Sequence, residues 1–215
     1  MAFTYSVMLD VADTTALVVG GGSVAFRKIK TLLRDGANVT VIAPIVEESI
    51  ENLAHNNKIT LIKDMYSVEA LNKINPFLVF AATNDLALNK EIALYCKKNH
   101  ILVNSITEPA NGSMSVQAKI LKQDYAVSIS TFGKSPGFSK ALREYFENIL
   151  TPDFDLALKV YLDIRSEILA TVNDANQRAE FLHKLELNKI KNFVSEKDDI
   201  PYDELLKKVK EWQSY

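Results

Sequence analysis

TALVVGGGSVAFRKIKTLLRDG, residues 15–36, changes its period halfway along, and the change falls on three consecutive glycines. Thr15–Val19 is apolar without alternation, the pattern of a strand covered on both faces. Beyond the glycines, Val24, Ile29, Leu32 and Leu33 recur at helical spacing, and Gly36 follows as a stop signal. The junction Gly20-Gly21-Gly22-Ser23-Val24-Ala25 fits G-x-G-x-x-G/A after a strand and at a helix start, the setting that this motif requires. Gly20 permits the tight turn, Gly22 lets the backbone approach a diphosphate, and Ala25 lets the helix lie close to the sheet. Free amides at a helix start, backed by the helix dipole, suit a phosphate's charge. The bland alternative is a glycine-rich turn that holds no ligand.

Outward from this unit the alternation continues. Residues 39–43 (VTVIA) form a second apolar run that Pro44 stops, and residues 46–53 are amphipathic. Short runs at 59–62 and 77–81 (FLVFA) read as strands. Residues 84–98 read as a helix with Leu88, Ile92, Ala93 and Cys96 on one side, and 101–103 is a fifth short run. Strands alternating with helices at these intervals imply a parallel sheet with right-handed crossovers. Residues 116–121 and 125–131 then alternate about a short turn, as two antiparallel strands do. Gly133 to Gly137 punctuates the chain, and Pro136 suits the first turn of a helix over 138–150 with Ser135 as its cap. After Pro152 the chain has no glycine and one further proline, Pro201. Leu156, Val160, Ile164, Ile168 and Leu169 give one helix, Phe181, Leu182, Leu185, Leu187 and Ile190 another, and residues 202–212 a last one. The expected class is α/β: an N-terminal Rossmann-type parallel sheet (residues 1–112), a central region with extended strands (113–150) and a C-terminal helical segment (151–215).

Composition narrows the function. The chain has 215 residues, 47% hydrophobic and 24% charged, with a net charge of −2, which argues for a packed core and against disorder. No overall basic field attracts nucleic acid or an anionic membrane, so neither is an expected partner. No apolar run approaches the ~18 residues of a membrane span. Residues 1–15 lack a basic stretch followed by an apolar core, and the expected location is the cytoplasm. Cys96 is the single cysteine, and its place on an apolar helix side makes it a core residue. His55, His100 and His183 show no ligand spacing, so no dedicated metal site is expected. Serines cluster over 128–135 with no neighbouring histidine to act as base, which disfavours a nucleophilic hydrolase. The second strand ends Ile42-Ala43-Pro44-Ile45, without the acid that usually holds an adenosine ribose and without a base to meet a 2′-phosphate. The motif alone therefore leaves NAD and NADP open.

Further segments make the reading specific. They are residues 19–28 (VGGGSVAFRK), 36–44 (GANVTVIAP), 81–85 (AATND) with Asn89 after it, and 103–104 (VN) followed by 112–114 (GSM), 128–131 (SIST) and 133–136 (GKSP). The helix residues 141–144 (ALRE) also fit. In order and spacing this set resembles the precorrin-2 dehydrogenase family, which includes free-standing bacterial enzymes, a bifunctional yeast enzyme and the N-terminal half of bacterial siroheme synthase. The Arg27-Lys28 pair behind the glycines is more specific to it than the glycines themselves.

The resemblance implies a homodimer that oxidises precorrin-2 to sirohydrochlorin with NAD, the middle step of siroheme biosynthesis, with residues 113–150 as the dimerisation and substrate region. It places Gly20, Gly22, Ser23 and Val24 against the cofactor diphosphate and Pro44 and Ile45 against the adenosine. Thr83, Asn84, Asp85 and Asn104 follow strands at the same sheet edge. Arg27, Lys28, Ser113, Lys134 and Arg143 fall to the anionic tetrapyrrole, and Ser130 lines its region. Many members carry an Asp, proposed as the acid–base residue, three positions after the Val-Asn pair; here that position is Thr107, and its neighbour Glu108 is the nearest carboxylate. Thr107, Glu108 and Ser130 are the catalytic candidates. Two other functions stay open at this stage: a bifunctional enzyme that also inserts ferrous iron, and a non-catalytic protein that binds NAD or tetrapyrrole.

Overall fold

The computed structural model describes residues 5–196 and 201–213. The chain divides into two compact units, residues 1–117 with 130–135, and residues 118–129 with 136–215.

The first unit is built on strands β1 (Thr15–Val19), β2 (Asn38–Ile42), β3 (Thr60–Ile62), β4 (Leu78–Ala81) and β5 (Leu102–Ser105). They form one parallel sheet in the order β3-β2-β1-β4-β5, with α1 (Ser23–Arg34), α2 (Glu48–His55), α3 (Val68–Ile74) and α4 (Leu86–Lys98) as the connections. The order reverses between β1 and β4, and a crevice opens beyond the carboxyl ends of such neighbours. Val19 pairs with both Ile42 and Ala81, Ala81 with Ser105 and Ile42 with Ile62, so all five strands of the sheet end level at that edge.

Continuous apolarity in the strands has its reason in two cores. On one face Ala16, Val18, Val39, Val41, Leu78 and Phe80 pack with Ala25, Ile29 and Leu32 of α1 and Ile50 of α2. On the other, Leu17, Val19, Ile42, Val79, Ala81 and Val103 pack with Leu71 of α3 and Ile92, Ala93 and Cys96 of α4. Helix α1 stops where expected: Gly36 takes φ +86°, its N–H donates to the Leu33 carbonyl, and the Ala37 N–H donates to that of Leu32. That pair of bonds satisfies carbonyls the helix end leaves free. Helix α3 is an addition to the sequence reading. Its seven residues are too few to show a period, yet Ser67 Oγ caps it by accepting from the Ala70 N–H, and Leu71 is fully buried.

The second unit opens with the hairpin β6 (Ala118–Leu121) and β7 (Ala126–Ile129), antiparallel as expected. Helices α5 (Pro136–Ile149), α6 (Pro152–Thr171), α7 (Ala175–Lys184), α8 (Leu187–Ser195) and α9 (Tyr202–Gln213) follow. Ala157, Val160, Ile164 and Ile168 of α6 form the buried stripe, packed with Leu185, Ile190, Val194, Leu205 and Val209. Leu169, expected in that stripe, lies beside it and is 41% exposed. The helix read through Phe181, Leu182, Leu185, Leu187 and Ile190 is two helices. Leu185 (ψ 94°) and Glu186 (ψ 109°) leave the helical region between α7 and α8, while Leu185 itself stays in the core. Lys122 Nζ (2.7 Å) and the Tyr125 hydroxyl (2.8 Å) both donate to the Asp155 carboxylate, which ties the hairpin to α6.

Candidate active site

At the glycine turn the three residues do different work. Gly20 has φ +128°, and a Cβ on it would lie 2.3 Å from the Ala82 carbonyl oxygen. A Cβ on Gly21 would lie 2.1 Å from the Ile45 carbonyl oxygen. The turn is therefore wedged between the loops after β4 and β2, and backbone bonds hold it there: Gly20 N–H to the Ile42 carbonyl, Glu47 N–H to that of Gly21, and Ala82 N–H to that of Val19. Gly22 faces the other way. A Cβ on it would meet nothing within 4 Å. Gly22 caps α1 without a side-chain hydrogen bond, and the first turn holds no acidic residue. The opening amides of α1, at Ser23 and Val24, thus begin a positive helix end beside open space, a cradle that fits a diphosphate. Pro44 is exposed and Ile45 is 85% exposed, an apolar surface next to the turn of the kind an adenine ring covers. The need for glycine at 21 is absent from the motif, where that place is free; a run of three glycines was its one sign in the sequence.

The neighbouring edge is organised by Asn89, on α4 and fully buried. Its Oδ1 accepts from the Thr83 N–H (3.1 Å) and the Thr83 hydroxyl (2.8 Å). Its Nδ2 donates to the Thr83 carbonyl (2.9 Å) and to Thr107 Oγ1 (3.3 Å). One side chain thereby joins the loop after β4 to the loop after β5. Asp85 accepts from the Ala87 and Leu88 N–H groups as the cap of α4, and Asn84 beside it is exposed. Asn104 is 7% exposed and its Nδ2 donates to the Met114 carbonyl. Ser113 Oγ accepts from the Val103 N–H while its own N–H donates to the Val103 carbonyl, which seals the free edge of β5. Ser105, 1% exposed, ends β5 with a hydroxyl that has no partner among the described residues. Glu108 is exposed, precedes a short 3₁₀ turn (Pro109–Asn111), and accepts from Asn111 Nδ2.

Lys28 is half-buried on α1, with its ammonium 5.6 Å from the centre of the Phe80 ring. Burial, and then the neighbouring Arg27 charge, hold its pKa below the usual lysine value. Among the described residues no carboxylate pairs with it. Arg27 is exposed. The sequence candidates at the sheet edge thus include Gly20, Gly22, Ser23, Val24, Pro44, Ile45, Thr83, Asn84, Asp85, Asn104, Thr107 and Glu108. The other candidates come from other elements. Ser130 and Lys134 lie in the turn between β7 and α5, where Ser130 Oγ accepts from the Phe132 N–H and the Lys134 N–H donates to the Thr131 carbonyl. Arg143 lies on α5, with its Nε 3.6 Å from Glu147. Asn89 was visible in the sequence only as part of a matching segment; a lone helical asparagine gives no sign that it is buried. Among the described residues no group of three or more His, Cys, Asp or Glu side chains is placed to hold a metal ion.

A family model described as NAD(P)-binding matches residues 7–118. The precorrin-2 dehydrogenase of Priestia megaterium is 32% identical over 181 residues, 84% of this chain and 86% of that protein. The precorrin-2 dehydrogenase of Bacillus subtilis (strain 168) is 33% identical over 138 residues, 64% and 83% of the two chains. Siroheme synthase 1 of Serratia proteamaculans (strain 568) is 30% identical over 178 residues, which span 83% of this chain but 37% of that protein. Among solved structures, SirC, a precorrin-2 dehydrogenase, superposes with a TM-score of 0.78 at 27% identity, covering 97% of this chain and all of the other.

Proposed function

Because the chain belongs to the precorrin-2 dehydrogenase family, we propose that it removes two hydrogens from precorrin-2, one as hydride and one as a proton, to give sirohydrochlorin. It is an NAD-binding oxidoreductase of siroheme biosynthesis. The observation that carries the reading is the Gly22 turn, backed by two loops and open on the side where a diphosphate fits. NAD supplies the hydride acceptor when bound. The protein's own contribution is position. The amides of Ser23 and Val24 meet the diphosphate, Pro44 and Ile45 pack the adenosine, and Thr83, Asn84, Asp85 and Asn104 border the nicotinamide end.

The substrate is a polycarboxylate. Lys28, half-buried with no carboxylate partner among the described residues, gains little from folding in that state and suits a ligand carboxylate. Arg27, Ser113, Lys134 and Arg143 are its companions in this role. Glu108 takes up the departing proton; its bond from Asn111 holds the carboxylate in place. Ser130 is a further hydroxyl for the tetrapyrrole. The chain acts as a homodimer through the 113–150 region, where α5 buries none of its residues within the chain and shows Phe138, Tyr145, Phe146 and Ile149 to solvent. We place it in the cytoplasm; no helix among the described residues is long and apolar enough to cross a membrane. The chain spans just over a third of the siroheme synthase named above.

The test is an anaerobic assay of the purified protein with precorrin-2, with NAD and NADP in parallel. Reduced nicotinamide and the sirohydrochlorin spectrum should rise together with NAD. Folded protein that binds NAD but forms neither product would overturn the dehydrogenase reading.

A further inference from the structure

The polarity of the hydrogen bonds around Asn89 is fixed by the backbone. The Thr83 N–H can only donate, so the atom it meets, 3.1 Å away, is an acceptor, Oδ1. The Thr83 carbonyl can only accept, so the atom 2.9 Å from it is the donor, Nδ2. Turning the amide over would set donor against donor and acceptor against acceptor at a fully buried residue. The second Nδ2 hydrogen therefore goes to Thr107 Oγ1, and that oxygen is the acceptor of the pair. The proton of the Thr107 hydroxyl is then left to point elsewhere. Thr107 is exposed at the carboxyl edge of the sheet, and no protein acceptor meets its hydroxyl among the described residues.

We infer that Asn89 is a positioning residue which turns Thr107 into a neutral hydrogen-bond donor toward a carbonyl or carboxylate oxygen of the bound ligand. The inference rests on the assignment of this edge to cofactor and substrate. It gives Thr107 a task different from an acid–base carboxylate: a hydroxyl whose oxygen is already held by Nδ2 offers a proton for bonding and does not remove one. The proton-accepting task falls to the adjacent Glu108. Two ligand groups carry the required oxygen, the nicotinamide carboxamide and a carboxylate of the tetrapyrrole.

Thr107→Val removes the hydroxyl at nearly constant volume and leaves Nδ2 its bond to the Thr83 carbonyl; Thr107→Ser keeps the hydroxyl. Affinities for NAD and for sirohydrochlorin are measured directly by calorimetry, with melting temperature as the fold control. T107V should stay folded, with a melting temperature somewhat lowered by the Nδ2 hydrogen left unpaired, and bind one of the two about tenfold more weakly; T107S should restore both. Loss on NAD identifies the carboxamide as the acceptor; loss on sirohydrochlorin identifies a substrate carboxylate. Wild-type affinity of T107V for both overturns the inference.

Asn89→Asp replaces the donor by an acceptor, so the Thr107 proton turns inward. N89D should lose the same affinity as T107V, and N89D/T107V no more than T107V alone; additive losses would show that Asn89 does not act through Thr107. If N89D does not fold, Asn89→Ser, too short to reach Thr107, takes its place in the cycle. Absence of wild-type turnover would remove the dehydrogenase reading while both affinities stayed measurable. Unchanged T107V affinities beside intact wild-type turnover would remove this inference alone.

Discussion

A Cβ placed on Gly21 would sit 2.1 Å from the Ile45 carbonyl oxygen and 2.8 Å from Val46 Cα, both parts of a backbone that β2 and α2 hold still. Gly21→Ala must therefore push the loop after β2 away. We expect a loss of about 2 kcal/mol, seen as a fall of roughly 4–8 °C in melting temperature. A melting temperature equal to the wild type's would show that the loop gives way freely. Gly22 differs because space, not protein, lies beyond it. At this scale the sequence was legible where a residue type has one physical use. The turn glycines and the buried Cys96, whose thiol burial pushes up to about 11, are such cases. It was silent where the use depends on a partner far along the chain, as for Asn89, whose bonds to Thr83 and Thr107 span 6 and 18 residues.

Elements were legible where their length exceeds their period. Strand β1 and helix α1 lie where their patterns put them, and the ends of the other strands shifted by a residue or two, as ends do. Helix α3 was missed because seven residues cannot display an amphipathic repeat, and the α7–α8 break because Leu185 is apolar whichever backbone it adopts. The tie between hairpin β6–β7 and α6 was unforeseen for a third reason: a charge pair between elements leaves no periodic trace. Desolvation pushes the Asp155 pKa up, but the bonds from Lys122 and Tyr125 outweigh it and hold it below the usual carboxylate value. A depressed folded-state pKa stabilises the protein above the unfolded value near pH 4, and the gain fades as pH falls through the folded pKa. Asp155 is partly exposed, so solvent screens the pair. Asp155→Asn should lower the melting temperature at pH 7 by about 1–4 °C, and the difference from wild type should narrow progressively as pH falls below about 4. A difference that stays constant through the whole acid range would show that the charge does not hold the tie.

For the whole molecule, the fold class and the family were both legible because a doubly covered parallel sheet writes itself as apolar runs, and the site segments follow at its carboxyl edge. The homodimer is an expectation that comes from resemblance. The exposed apolar face of α5 gives that expectation a physical basis, and Phe146, 37% exposed, is one of its residues. Phe146→Asp should convert a dimer to monomer in sedimentation while the circular dichroism stays the same; a wild-type chain that sediments as a monomer at all concentrations would refute the assembly.

Cofactor binding in this protein requires that NAD lie across the Gly22 turn. Gly22→Asp tests it most directly, because no protein atom stands within 4 Å of the new Cβ and Asp is itself a favoured helix cap. The measurement is NAD affinity by calorimetry beside the melting temperature of the same sample. The expected result is an intact or raised melting temperature with NAD binding weakened about a hundredfold or more, through a carboxylate set against the diphosphate. Wild-type NAD affinity in a folded G22D protein would contradict it.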